Sequence, residues 1–313
     1  MRRLLLVLAF ATSLSAASKT YDATYIATLS DIPPGTEKLD VWIPLPVSGE
    51  HQQIRDVVIE SPYKFTRRRE RTWGNEYAHA LVVNPPATLT VRVKFTVTRE
   101  EALISQPKGK RGDLSRALHA DKLVTLSPRV RNLANEVTAG KKTADEQARA
   151  IYDHLLATMT YDKTTPGWGK GDTERACDVR KGNCTDFHSL FLSLARAKNI
   201  PARFVIGFPM SAKEGVVRGY HCWAEYWNGR GWMPVDASDA SKNAALRDYL
   251  FGNLDAERMQ FTTGRDLKLT PATSEPLNYF IYPRGEANGN VVGVPSIALE
   301  FRSAAAERGM VGR

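Results

Sequence analysis

Between residues 21 and 99 apolar and polar side chains alternate in short runs. Leu89, Val91, Val93, Phe95 and Val97 fall on one side, and Thr90, Arg92, Lys94 and Thr96 on the other. That two-residue period is the mark of a half-buried strand. Residues 21–29 alternate more loosely. Residues 39–43 are bounded by Pro33-Pro34-Gly35 and by Pro44 and Pro46, and residues 57–59 continue the theme. Short strands separated by turn signals predict a β-sandwich, or part of one. No catalytic constellation falls within it.

After a polar crossing segment the period changes. Ser127-Pro128 reads as an N-cap followed by proline at the first helical position, and Val130, Leu133, Ala134 and Val137 follow at helical spacing. Thr143 with Glu146 forms a capping box, and Ile151, Tyr152, Leu155, Leu156 and Met159 give the next helix its buried face. Residues 161–182, rich in glycine and charge, read as loop. Phe187, Leu190, Phe191, Leu194 and Ala195 then recur at i, i+3, i+4, i+7 and i+8, an apolar helical stripe. Asn199 suits a left-handed helix terminus, and Pro201 forbids continuation. Residues 203–208 are β-rich. Residues 221–227 and 232–235 are expected strands joined through Asn228-Gly229-Arg230-Gly231, a hairpin signal. Residues 278–282 and 297–301 are also expected strands. This pattern predicts an α+β fold with helices on an antiparallel sheet.

Composition adds bounds. The chain has 313 residues, 42% hydrophobic and 25% charged, enough to bury a core without disulfide staples. Arg2 and Arg3 precede an apolar run at residues 4–11, too short to span a bilayer, and small residues follow. Together they read as a signal peptide over residues 1–17, with export to the periplasm or beyond. No other stretch reads as a membrane span. The formal charge is +9, with basic residues scattered except for Arg67-Arg68-Arg69 and Arg71, which read as a solvated strand edge. An exported chain points away from nucleic acid and toward an anionic envelope surface as partner.

Three cysteines, Cys177, Cys184 and Cys222, leave at least one thiol free. Cys177 and Cys222 form either a disulfide or two buried thiols. Closely spaced Cys or His pairs are lacking; Cys184 and His188 are four apart, but two ligands are not a site, so no metal is expected. No organic cofactor is called for.

The chemistry gathers at Cys184. It sits at a helix start, after Lys181-Gly182-Asn183, where unpaired N–H groups and the helix dipole favour a thiolate. The same backbone N–H groups suit an oxyanion. On the following strand His221 and Cys222 must face opposite ways, so His221 can face the cleft while Cys222 packs behind it. Asp236 ends the next strand, placed to orient the imidazole and stabilise its charged form. A helix thiol, a strand histidine and a strand carboxylate are the parts of a cysteine nucleophile site.

Residues 143–240 resemble the core of the transglutaminase-like superfamily, a branch of papain-like cysteine enzymes. The matching residues are Gly182-Asn183-Cys184-Thr185-Asp186, Ala195-Arg196, Ile200-Pro201-Ala202-Arg203, Gly219-Tyr220-His221-Cys222-Trp223-Ala224-Glu225 and Gly231-Trp232-Met233-Pro234-Val235-Asp236. The resemblance covers about a third of the chain. It implies a papain/transglutaminase-like fold, with Cys184 as nucleophile, His221 as base and Asp236 as orienter. The expected layout is a signal peptide at 1–17, an N-terminal β domain at 18–105, a linker at 106–126, a catalytic domain at 127–302 and a tail at 303–313. The implied activity is attack on amide or ester carbonyls of protein or peptide substrates through an acyl-thioester. Acyl transfer and peptidase or amidase hydrolysis both remain open. The rival reading is a non-catalytic envelope scaffold with a vestigial site.

Neighbours carry paired readings. Trp168 either donates its indole N–H to an oxyanion or packs a loop. Asn183 belongs to the helix start. Tyr220, Trp223 and Trp232 line the cleft or fill the core. His188 flanks the site or packs, and Asp186 complements the helix dipole. Arg258 and Arg265 grip an anionic substrate or pair at the surface.

Overall fold

A computed structural model describes residues 16–109 and 114–304. The expected signal peptide, except its last two residues, lies outside the described residues. So does the end of the chain from 305 onward.

Six strands come first: β1 (Ser18–Ser30), β2 (Lys38–Leu45), β3 (Gln52–Glu60), β4 (Thr66–Arg69), β5 (Glu76–Val83) and β6 (Leu89–Glu100). Then follow α1 (Pro128–Val137), α2 (Ala144–Thr158), β7 (Thr160–Tyr161), α3 (Thr173–Val179), β8 (Lys181–Gly182) and α4 (Cys184–Ala197). The remainder is β9 (Ala202–Pro209), β10 (Glu214–Val217), β11 (His221–Trp227), β12 (Trp232–Val235), α5 (Ala237–Lys242), β13 (Arg258–Thr263), β14 (Arg284–Ala287), β15 (Asn290–Val291) and β16 (Val294–Ser303).

The strand-rich region forms two five-stranded antiparallel sheets, ordered β10-β16-β1-β6-β3 and β15-β14-β2-β5-β4. The alternation seen in sequence sets their inner faces: Leu89, Val91, Val93, Phe95 and Val97 of β6 are all buried. Both sheets borrow strands from the far end of the chain. β16 lies beside β1 from Tyr21↔Ser303 to Ser30↔Val294, and β14 pairs with β2. Residues grouped by sequence with the C-terminal region thus complete the N-terminal sheets. Arg67, Arg68 and Arg69 sit on β4, exposed at a sheet edge.

A four-stranded antiparallel sheet, β12-β11-β9-β13, carries the helices. It shares one continuous hydrophobic core with the sandwich strands. Tyr25 of β1 meets Phe261 of β13 at 5.0 Å and Phe208 of β9 at 6.0 Å between ring centroids. At the β9–β13 contact the register shifts by one residue, between Gln260 and Thr262. A Cβ on Gly207 would collide there with the Met259 carbonyl, so only glycine lets the strands approach this closely.

α4 is central. The sequence predicts one apolar stripe, but the helix is buried on every side from Cys184 to Arg196. Its polar residues each find a partner. Ser193 and Thr173 share a hydrogen bond of 2.8 Å. Arg196 donates to Asp121 at 2.6 Å and to the carbonyls of His119 and Ala202. Asp121 lies in the expected linker, which therefore packs against α4; Trp232 N–H likewise donates to the Lys108 carbonyl.

Two expectations fail. Residues 161–182 are not all loop, since α3 forms within them behind an Asp172 N-cap. Residues 278–282 are not a strand. Their acceptors are taken by side chains instead: Asn278 O by Arg265, Phe280 O by Thr262 and Ile281 O by Tyr25.

Candidate active site

α4 begins at Cys184 because the residues before it cap the helix. Asn183 has an extended backbone, and its Oδ1 accepts the Thr185 N–H at 2.9 Å. Asp186 reaches back to accept the Asn183 N–H at 2.9 Å. Asp186 does more than complement a dipole. The same carboxylate accepts Gly169 N–H at 2.7 Å and Gly171 N–H at 3.0 Å, fastening the glycine-rich loop to the nucleophile helix. From the other side Arg265 donates to the Lys170 carbonyl at 2.9 Å and to Ser189 at 2.5 Å. Gly171 has φ +64° and no room for a Cβ beside Ser189, so its identity is part of the clasp.

Cys184 is 2% exposed and His221 is buried beside it. The imidazole bridges two partners: it hydrogen-bonds the Cys184 sulfur, and its Nε2 meets Asp236 Oδ2 at 2.7 Å. Asp236 Oδ1 accepts the Ser238 hydroxyl at 3.1 Å and the Asp239 N–H at 3.0 Å, which makes it the N-cap of α5. The three residues expected to form the site are therefore in contact as a chain, thiol to imidazole to carboxylate.

The electrostatics favour an ion pair. Burial works against a charged His221, yet the Asp236 carboxylate and the Cys184 sulfur raise its pKa to about 10. Cys184 is held well below the ordinary thiol range by a hydrogen bond from Cys222, against the opposing pull of burial, and then by His221. Asp236 is likewise pulled down despite burial, by His221 and then Arg258.

The flanking residues divide. Tyr220 OH accepts from Asn183 Nδ2 at 3.2 Å and lies 2.9 Å from Thr185 Oγ1, so Tyr220 and Asn183 stand at the nucleophile's helix start. Tyr279 and Tyr282 pack on Tyr220 with centroids 5.7 and 6.0 Å away. Trp168 rides on the fastened loop and is 39% exposed. Trp223 shares the His221 face of β11, two residues along, and is fully buried, donating to Glu225 Oε1 at 3.2 Å. Trp232 lies elsewhere, against Trp227 and beneath Arg203.

His188 is fully buried. Its Nε2 accepts the Ala237 N–H at 3.1 Å, and burial pushes its pKa down, so it is a neutral packing group and not a second base. Cys222 departs from expectation. It does not pack away from the site; its sulfur faces the start of α4, 3.8 Å from Thr185 Oγ1 and 3.8 Å from His188 Nδ1. All three cysteines are free and buried, so the pairing of Cys177 with Cys222 is not present.

Arg258 and Arg265 are buried rather than surface cations. Arg258 Nη2 lies 2.8 Å from Asp239 and 3.6 Å from Asp236, which links it to the imidazole's partner. Asp239, which sequence reasoning missed, lies 3.6 Å from His221 Nε2. Its signal was its place three residues beyond Asp236 in the first turn of α5. His221, Asp236 and Asp239 bring ligand atoms within 4.8 Å of one another, but the Arg258 guanidinium already serves both carboxylates.

The sequence profile of the transglutaminase-like superfamily matches residues 131–237, a span that holds Cys184, His221 and Asp236. An uncharacterized protein of Haemophilus influenzae is 26% identical, over 87% of this chain and 85% of that protein. The crystal structure of a candidate cysteine protease from Cytophaga hutchinsonii superposes with a TM-score of 0.65 at 15% identity, covering 94% of this chain and 93% of that one. This shows the shared fold. The periplasmic domain of TgpA from Pseudomonas aeruginosa covers 75% of this chain and 94% of its own at 18% identity, with a TM-score of 0.39. The segment that holds the thiol, imidazole and carboxylate thus matches a transglutaminase-like core, on a fold shared with the Cytophaga structure.

Proposed function

We propose that this chain is an exported cysteine enzyme that attacks amide or ester carbonyls of peptide or protein substrates through an acyl-thioester on Cys184. The observation that carries this is the buried His221 in contact with Cys184 on one side and Asp236 on the other. The Cys184 sulfur adds to the carbonyl carbon, and the Cys184 N–H at the start of α4 stands beside the developing oxyanion. The C–N or C–O bond then breaks, and His221 gives its proton to the leaving amine or alkoxide. A water or an amine next gives its proton to the neutral imidazole and attacks the thioester. The C–S bond breaks and the thiolate–imidazolium pair is restored. Hydrolysis and transfer share the first half of this cycle and differ only in the acceptor.

Export rests on Arg2, Arg3 and the apolar run after them. Among the described residues no helix is long and apolar enough to cross a membrane. An anionic envelope surface fits the basic charge and the exposed arginines of β4.

The test is to trap the acyl-enzyme by acid quench with an activated ester and with envelope peptides, reading the adduct by mass spectrometry. A labelled amine in the same reaction reports the acceptor. An adduct on Cys184 that is lost in Cys184→Ala, and sharply slowed in His221→Ala, is expected. No adduct, together with alkylation of Cys184 at the rate of an ordinary thiol, would establish a scaffold in place of an enzyme.

A further inference from the structure

Cys222 is the residue of the site that the proposed cycle leaves without a covalent role. It is the second residue of β11, against which α4 packs, and it faces the first turn of that helix. Its sulfur lies 3.8 Å from Thr185 Oγ1 and 3.8 Å from His188 Nδ1, residues that flank Cys184 along the helix. Each of the two sulfurs also shifts the charge state of the other. Cys177 is in a different place, on α3, among residues including Arg129, His154 and Arg180. The only thiol described beside the nucleophile is thus Cys222.

We propose that Cys222 is a resolving thiol for Cys184: peroxide oxidation of the nucleophile is captured as a reversible Cys184–Cys222 disulfide that switches the site off. This rests on the reading of Cys184 as a reactive thiolate. The Cys184 thiolate attacks one peroxide oxygen, the O–O bond breaks, and a sulfenic acid forms while the second oxygen leaves as hydroxide and is protonated to water. The Cys222 sulfur then attacks the sulfenic sulfur. The S–S bond forms, the S–O bond breaks, and the departing hydroxide takes the Cys222 proton as water. Two thiols have then lost two electrons to one peroxide. A dithiol returns both electrons by exchange.

The arrangement explains why the two residues divide the work. Cys184 has the thiolate character that peroxide selects, whereas burial and the neighbouring Cys184 sulfur keep Cys222 protonated. Without Cys222 the sulfenic acid has no thiol in contact and proceeds to sulfinic acid, which dithiols do not reduce.

The test uses the full chain treated with increasing hydrogen peroxide, then blocked with a maleimide and mapped by mass spectrometry. In the parent we expect a cross-linked Cys184–Cys222 peptide and an activity loss reversed by dithiothreitol. Cys177→Ala should behave as the parent. Cys222→Ala and the near-isosteric Cys222→Ser should instead gain sulfinic acid on Cys184 and lose activity that dithiothreitol does not restore. A cross-link through Cys177, or equal sulfinic acid formation in the parent and both Cys222 variants, would overturn the proposal. Rapid alkylation of Cys184 alongside either result leaves the nucleophile reading standing; slow alkylation sinks that reading first.

Discussion

Asp236 holds His221 through one carboxylate oxygen, Oδ2 at 2.7 Å, while the other oxygen caps α5 through the Asp239 N–H at 3.0 Å. One side chain thus orients the imidazole and starts a helix. Asparagine can still cap but carries no charge, so Asp236→Asn should lower kcat/KM on an activated ester by about 10⁴, with little loss of stability. Asp236→Ala should lose the activity and, in addition, about 1 kcal/mol from the missing cap. Kinetics and urea unfolding on the two variants check this; equal unfolding midpoints for Asn and Ala would refute the capping role.

The ion pair predicts a broad pH plateau. Activity should fall on the acid side only below the ordinary thiol range, as the Cys184 thiolate is protonated, and on the alkaline side near the His221 value of about 10. The stability sign follows from the raised imidazole pKa. Its contribution is fully present below the ordinary value of 6.5 and fades as pH rises through about 10. The pH dependence of kcat/KM and of the urea midpoint, compared with His221→Ala, measures both. A Cys184 reactivity that titrates like a free thiol in the parent would rule the pair out.

The clasp on the glycine-rich loop hangs on Asp186. Replacing it by alanine leaves three backbone N–H groups, those of Gly169, Gly171 and Asn183, without their acceptor. A buried donor left unsatisfied costs about 1–3 kcal/mol. Asp186→Ala should therefore lower the thermal midpoint and remove hydrogen-exchange protection at Gly169 and Gly171 before the rest of the chain. Protection unchanged at those two amides would show that the loop is held by Arg265 alone.

Gly207 shares a ladder position with His221 on the neighbouring strand. A methyl group there meets the Met259 carbonyl, and overpacking of this kind costs about 1–3 kcal/mol. The strand that must yield is β13, which starts at Arg258 and carries the cation beside Asp236 and Asp239. Gly207→Ala should thus reduce both stability and kcat/KM, while Gly229→Ala, in open space at a turn, should spare kcat/KM. Intact kinetics in Gly207→Ala would show that the β9–β13 approach does not position the site.

The parts of this molecule that were legible from sequence are those fixed by local rules. The N-cap at Ser127, the capping box at Thr143 and Glu146, and the left-handed Asn199 appear as read, because capping depends on a few adjacent residues. The clean alternation of β6 gave its buried face for the same reason. What sequence hid depends on distant partners. Nothing local shows that Arg196 and His188 are buried, since Asp121 and Ala237 are what make their burial tolerable. Alternation separates His221 from Cys222, but it does not show that Cys222 faces the start of α4, 3.8 Å from Thr185 Oγ1. Trp223 shares a strand face with His221 yet is fully buried, because sharing a face does not set the depth of a side chain.

The borrowed strand β16 has a consequence for how the protein is made. It fills the gap between β10 and β1, so those two strands cannot join one sheet until residue 303 has left the ribosome or the export channel. Until then β1 presents an open edge along its whole length, a template for pairing with another chain. A pairing between residues nearly three hundred positions apart is also slow to find. A truncated or half-delivered chain therefore lacks the closed sheet and keeps that edge open, and it needs protection in transit.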